Sequence, residues 1–135
     1  MKVGPLMFRP ILELGPVDGE NNDGPIVKYR VLDQNFLRER RGVYVINVSG
    51  QVVYCGKFTN SFSKRWLYSN LGYLYHFKRK EIALRLRENK SILVFAESEA
   101  ELKRQLDNAG EWVDANSIEA NLIRLFSPEW NKIGG

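Results

Sequence analysis

Two rhythms organise the apolar positions of this chain. The shorter one marks strands. Val43–Val48 is a β-branched and aromatic run, Gln51–Cys55 is a second, and the turn signal Ser49-Gly50 lies between them. Together they predict a β-hairpin. Ile92–Ala96 is a continuous apolar run of strand length, as expected of a buried central strand. The longer rhythm marks helices. Asn60 and Ser61 are placed to cap a helix that carries Phe62 and Trp66 on one side, with Arg65 beside them. A second helix is predicted over Phe77–Glu88, although its apolar stripe of Ile82 and Leu86 is thin. Ser98–Glu101 fits a capping box that opens a third, which packs Leu102 and Leu106 and ends near Gly110. The fourth runs from about Ala115 to Phe126.

The hairpin register decides which tyrosines share a face. A two-residue loop at Ser49-Gly50 pairs Tyr44 with Cys55 and sets Tyr44 and Tyr54 on opposite faces. A three-residue loop over Val48–Gly50 pairs Tyr44 with Tyr54 and sets them on one face. The residues alone allow both.

The start of the chain is punctuated by Gly4-Pro5, Gly15-Pro16 and Gly24-Pro25, with a polar run over Asp18–Asp23. Met7–Leu14 and Ile26–Leu32 are strand candidates, and Phe36–Arg41 a helical turn. Residues 1–41 are read as an N-terminal extension of open role. It is either an arm that touches a partner or an ordered edge of the same domain as residues 42–135.

A chain of 135 residues is expected to form one domain. No apolar run approaches the roughly 20 residues of a membrane span, and no secretory segment follows Met1. The one cysteine, Cys55, cannot form an internal disulfide, which leaves the cytoplasm as the expected compartment. The net charge of +4 is unevenly spread. Residues 28–90 hold 14 Lys and Arg against 4 Asp and Glu, whereas both flanks are net acidic. A basic middle suits a polyanion, because Lys and Arg that neutralise phosphates release counterions. A solvated surface accounts for it equally well.

Candidate chemistry lies in the same middle and in the last helix. At 100° per residue from Ile118, Leu122 falls near about 40°, Phe126 near about 80° and Ile123 near about 140°; Glu119, near about 100°, sits inside that apolar arc. A carboxylate there is costly unless it is paired, protonated or bound to a metal. The other reading is a cap, since Asn116–Glu119 also fits a capping box. Tyr68, Tyr73, Tyr75, His76 and Phe77 precede Lys78-Arg79-Lys80, a mixture that either stacks bases and holds phosphates or packs under a helix. His76 is the only histidine, so a zinc site built on several histidines is excluded. It is either a surface group or the one side chain that titrates near neutrality beside a phosphate.

Gly42-Val43-Tyr44 and Tyr54-Cys55-Gly56, followed by Lys57 and by Arg65 nine residues after Gly56, resemble the core motif of the GIY-YIG nuclease family. Glu119 and the closing Pro128-Glu129-Trp130-Asn131 fit the family's metal-binding glutamate and supporting asparagine. The ending looks most like the branch of phage endonuclease II and small restriction enzymes. The matched positions span Gly42 to Asn131.

The resemblance implies an α+β fold with a small central antiparallel sheet of about three core strands flanked by helices. It favours the register that pairs Tyr44 with Tyr54. It also implies hydrolysis of a DNA phosphodiester. Glu119 would hold one Mg²⁺ or Mn²⁺, Arg65 would clamp the scissile phosphate, Tyr44 would act as general base aided by Lys57, and Tyr54 would orient the water. Lys57, Lys64, Arg65, Lys78, Arg79 and Lys80 would meet the DNA backbone. Some family members carry a histidine or tyrosine four residues after the motif arginine. Here that position is Ser69, which leaves Tyr68 or His76 to take the role. Cutting both strands from single sites would need two subunits, hence a homo-oligomer, or two visits. A DNA-binding module without cleavage and an α+β protein-interaction domain are the competing classes.

Overall fold

The computed structural model describes residues 1–22, 24–67, 74–76, 78–107 and 115–132. Tyr68, Ser69, Tyr73, Phe77 and the expected helix end near Gly110 lie outside the described residues. In chain order the elements begin with the short strands β1 (Lys2–Val3) and β2 (Leu6–Met7), then β3 (Arg9–Asn21) and β4 (Gly24–Val31). A 3₁₀ turn over Gln34–Arg38 leads to β5 (Gly42–Val48), β6 (Gln51–Phe58) and the helix α1 (Phe62–Trp66). There follow α2 (Arg79–Arg87), β7 (Ile92–Ser98), α3 (Glu99–Asp107), α4 (Ala115–Phe126) and a closing 3₁₀ turn over Glu129–Lys132.

This is an α+β architecture. Its main sheet has five antiparallel strands in the order β4-β3-β7-β5-β6, rather than the expected three. The extra two come from the residues read as an extension. Of the Gly-Pro signals there, Gly4-Pro5 is the turn between β1 and β2, whereas the other two fall within strand bounds. Gly15-Pro16 falls at a register shift of β3, between Leu14 and Val17, and Gly24-Pro25 opens the edge strand β4. Both are places where a strand tolerates the missing N–H of proline.

Strand β5 is buried along its whole length, so its alternation sorts residues onto two cores. Tyr44, Ile46 and Val48 join Ile92, Val94 and Ala96 of β7 under Phe62 and Trp66 of α1, Ile82 and Ala83 of α2, and Trp130. Val43 and Val45 join Cys55 under Leu102 and Leu106 of α3 and Ile118 and Leu122 of α4, with Val3, Leu6 and Phe8.

The hairpin register differs from the expectation, and the reason is local. Ser49 (φ 49°) and Gly50 (φ 93°) form a two-residue loop with both residues at positive φ, so Val48 pairs with Gln51 and Asn47 with Val52. The register then shifts, and beyond it Ile46 pairs with Tyr54 and Tyr44 with Gly56. One extra residue, Val53, restores the phase, and Val53 and Tyr54 both point into the first core. Tyr44 and Tyr54 thus share a face, two positions apart and not as a direct pair. Their ring centroids are 6.0 Å apart.

Candidate active site

Four elements bring the site together. Ser61 caps α1 by accepting the backbone N–H of Lys64 at 3.1 Å, which starts the helix where the sequence predicts. One turn on, Arg65 points its Nε at the Tyr44 hydroxyl, 3.4 Å away. Tyr44 itself is fully buried and lies against Gly56, where a Cβ would overlap the phenol ring. A Cβ at Gly42 would overlap the backbone of Glu97 and the ring of Phe58. These two glycines are needed for close approach, not for unusual φ.

His76 reaches the same oxygen. The chain returns through a bridge between Leu67 and Leu74, and Tyr75 N–H donates to the Trp66 carbonyl at 2.7 Å. His76 is thereby stacked on Trp66 with centroids 4.1 Å apart, and its Nε2 lies 2.5 Å from the Tyr44 oxygen. Its Nδ1 accepts the backbone N–H of Lys78 at 3.1 Å. A neutral imidazole that accepts at Nδ1 carries its proton on Nε2. The Tyr44 oxygen therefore accepts from His76 and Arg65, and the side chains of Tyr44 and Tyr54 are hydrogen-bonded to each other.

Burial sets the charges of this cluster. It raises the Tyr44 phenol far above the ordinary value, against the pull of Arg65, and raises Tyr54 in the same way. It lowers His76 well below its usual range, and the cations of Arg65 and Lys78 act in the same direction. Arg65 is pulled down by burial but ends raised, because Tyr44, Tyr54 and Glu119 outweigh that loss. Cys55 is pushed up to about 12 by burial, so it is an inert thiol at neutral pH.

A cleft of about 440 Å³ opens beside this cluster, lined among others by Tyr54, Lys57, Lys64, Arg65, Tyr75 and Glu119. It draws on both sides of β6, with Tyr54 from the first core's side and Lys57 and Glu119 from the other. The Glu119 carboxyl is half-buried. Burial raises its pKa, while Lys57 and Arg65 pull it down. The capping reading gains no support: α4 begins at Ala115, and the Asn116 side chain accepts from Lys57 Nζ.

Asn131 acts one step away from the cleft. Its amide accepts the Cys55 N–H at 2.9 Å and donates to the Cys55 carbonyl at 3.0 Å. It thus satisfies the free edge of β6 as a neighbouring strand would. Lys78 is buried, with its ammonium 5.6 Å from the centre of the Tyr54 ring. Arg79 borders Gly24, and Lys80 lines a separate hollow with Glu20 and Arg87. Neither is among the residues that line the cleft. Sequence reasoning missed two participants. Asn116 was legible only as a cap, and the Lys78 N–H, being backbone, leaves no signal at all.

No family model, no curated protein and no solved structure matches this chain. Among the described residues, no helix is long and apolar enough to cross a membrane.

Proposed function

We propose that the chain is a metal-dependent DNA endonuclease of the GIY-YIG type. One observation carries the reading. Tyr54, Lys57, Arg65 and Glu119, drawn from β6, α1 and α4, line a single cleft, with Tyr44 and His76 directly behind it. The basic middle of the sequence supports a polyanionic substrate.

Glu119 suits a hard cation. Among the described residues its carboxylate accepts no hydrogen bond, and no group of three or more metal-ligating side chains surrounds it. Glu119 would be the one protein carboxylate to hold the ion, through hard oxygen ligation. Mg²⁺ or Mn²⁺ held there would supply Lewis-acid stabilisation of the charge that builds on the phosphate oxygens.

Arg65 binds the scissile phosphate, with Lys57 and Lys64 adding positive potential along the cleft. Tyr54 is the phenol that meets the attacking water, and Tyr44 stands behind it. The pair works as the base. The reactive form is the one in which Tyr44 has first lost its proton to solvent, its phenolate held by His76 Nε2–H and Arg65 Nε–H against the opposing effect of burial. The water then gives its proton to Tyr54 as Tyr54 passes its own to Tyr44. This leaves two neutral phenols and a hydroxide that attacks phosphorus as the P–O bond to the leaving strand breaks. His76 contributes as a donor and takes no proton. Because the other ring nitrogen is committed to the Lys78 N–H, it has no basic lone pair to offer Tyr44.

The test is incubation of supercoiled plasmid with the protein, in Mg²⁺ or Mn²⁺ and in chelator, beside Glu119→Ala. Metal-dependent nicking that the substitution abolishes supports the nuclease. Binding without nicking by either protein replaces it with a DNA-binding module, and cleavage equal in both removes Glu119 from the mechanism.

A further inference from the structure

The cleft is not the largest hollow on this face. A second one, of about 700 Å³, adjoins it and shares Lys64 and Tyr75 with it. Its other walls include Tyr29, Val31, Gln34, Leu37 and Leu67. Its character is different. The cleft is cationic and polar, whereas this hollow is lined by two tyrosines and three aliphatic residues, with Gln34, Ser63 and the shared Lys64 as its polar members.

Tyr75 stands at the boundary and is 49% exposed, although it is a large aromatic in a segment whose neighbours, Leu74 and His76, are buried. A hydrogen bond from its own N–H to the Trp66 carbonyl fixes its backbone. The exposed ring stands between the two hollows and lines both. Lys64 follows the cap residue of α1 by one turn and marks the same boundary with a cation.

Resting on the nuclease reading, we propose that this hollow receives an unstacked nucleobase of the DNA strand whose phosphate lies at Arg65. The chemistry of the two hollows matches the alternation of a nucleotide. A phosphate goes to the cationic cleft, and the base attached next to it goes to a pocket with aromatic walls and an amide that can meet a base edge. Lys64 serves the backbone between the two. Stacking on aromatic side chains tolerates every base, so the pocket favours DNA that is single-stranded, branched or locally opened over intact duplex.

The experiment measures binding in chelator, so that no cleavage occurs, with short single-stranded and duplex DNA carrying 2-aminopurine at successive positions. The expected result is tighter binding of the single strand and a fluorescence change confined to one position. Tyr75→Ala and Tyr29→Ala should each weaken single-strand binding by about tenfold, and Tyr75→Phe should restore it. Melting curves confirm that the variants are folded. Equal binding by all variants, with no position-specific fluorescence change, overturns the base pocket and leaves the nuclease reading standing. A folded wild-type protein that binds neither DNA form overturns both.

Discussion

The Nε2 of His76 lies 2.5 Å from the Tyr44 hydroxyl oxygen, while Nδ1 of the same ring accepts the Lys78 backbone N–H at 3.1 Å. The second contact assigns the first: His76 donates and Tyr44 accepts. Glutamine can present an N–H where Nε2 stands, but it cannot act as a base. His76→Gln should therefore retain most of the nicking activity, whereas His76→Ala should lose about a hundredfold, the scale for removing one donor to a developing charge. Single-turnover rates on a plasmid or oligonucleotide substrate decide this. Equal losses in the two variants would show that the ring takes up a proton after all.

The same ring makes stability depend on pH. His76 is buried among Tyr44, Tyr54 and Trp66, and the charges facing it, Arg65 and Lys78, are both positive. Its folded pKa is lowered, so below the unfolded value of about 6.5 the unfolded chain binds the extra proton first. The folded state is then unpenalised above that pH and loses stability as pH falls toward the folded pKa, by at most about 1.4 kcal/mol per pH unit. Melting temperatures of the wild type and His76→Gln should diverge between roughly pH 6.5 and pH 5, with the wild type falling more steeply. Parallel curves would mean that His76 titrates normally.

Local signals made much of the fold legible, and tertiary geometry hid the rest. Ser61 before Phe62, the Ser49-Gly50 turn and the stripe of α4 each state their element within a few residues, and each element is present. The shared face of Tyr44 and Tyr54 was legible only through resemblance, because it depends on a bulge at Val53 that no residue type announces. The length of β3 was obscured by Gly15-Pro16, whose breaker signal is absorbed by an irregular strand. His76 lies eleven positions after Arg65, and spacing along a helix could not place it on Tyr44. The bridge between Leu67 and Leu74 does so by folding the chain back.

Asn131 closes the unpaired edge of β6 with two hydrogen bonds to the buried Cys55, the residue after Tyr54. Asn131→Ala leaves both backbone groups without that partner. A net hydrogen bond contributes about 1 kcal/mol and an unsatisfied buried group costs more, so a loss of about 2 kcal/mol in denaturant unfolding is expected. Nicking should fall as well, because the strand that carries Tyr54 loosens. Asn131→Asp keeps an acceptor for the Cys55 N–H but turns a carboxylate toward the carbonyl, and should recover little. An unchanged unfolding midpoint in Asn131→Ala would show that the edge is satisfied by water.

Glu119 separates function from stability. Burial raises its folded pKa, against the pull of Lys57 and Arg65. A raised carboxyl favours folding below the unfolded pKa of about 4.3, and that contribution is lost as pH rises through the folded value. At neutral pH the ionised carboxylate therefore weakens the fold. Glu119→Gln keeps the shape and removes the charge, so its melting temperature at pH 7.5 should equal or exceed that of the wild type in chelator. Its nicking should drop at least about a hundredfold, since a neutral amide is a poor ligand for a hard divalent cation. Added Mg²⁺ supplies the second readout. It should raise the wild-type melting temperature by binding the folded state alone and leave that of the variant unmoved. A variant that melts lower than the wild type in chelator, with nicking intact, would return Glu119 to a purely structural role at the start of α4.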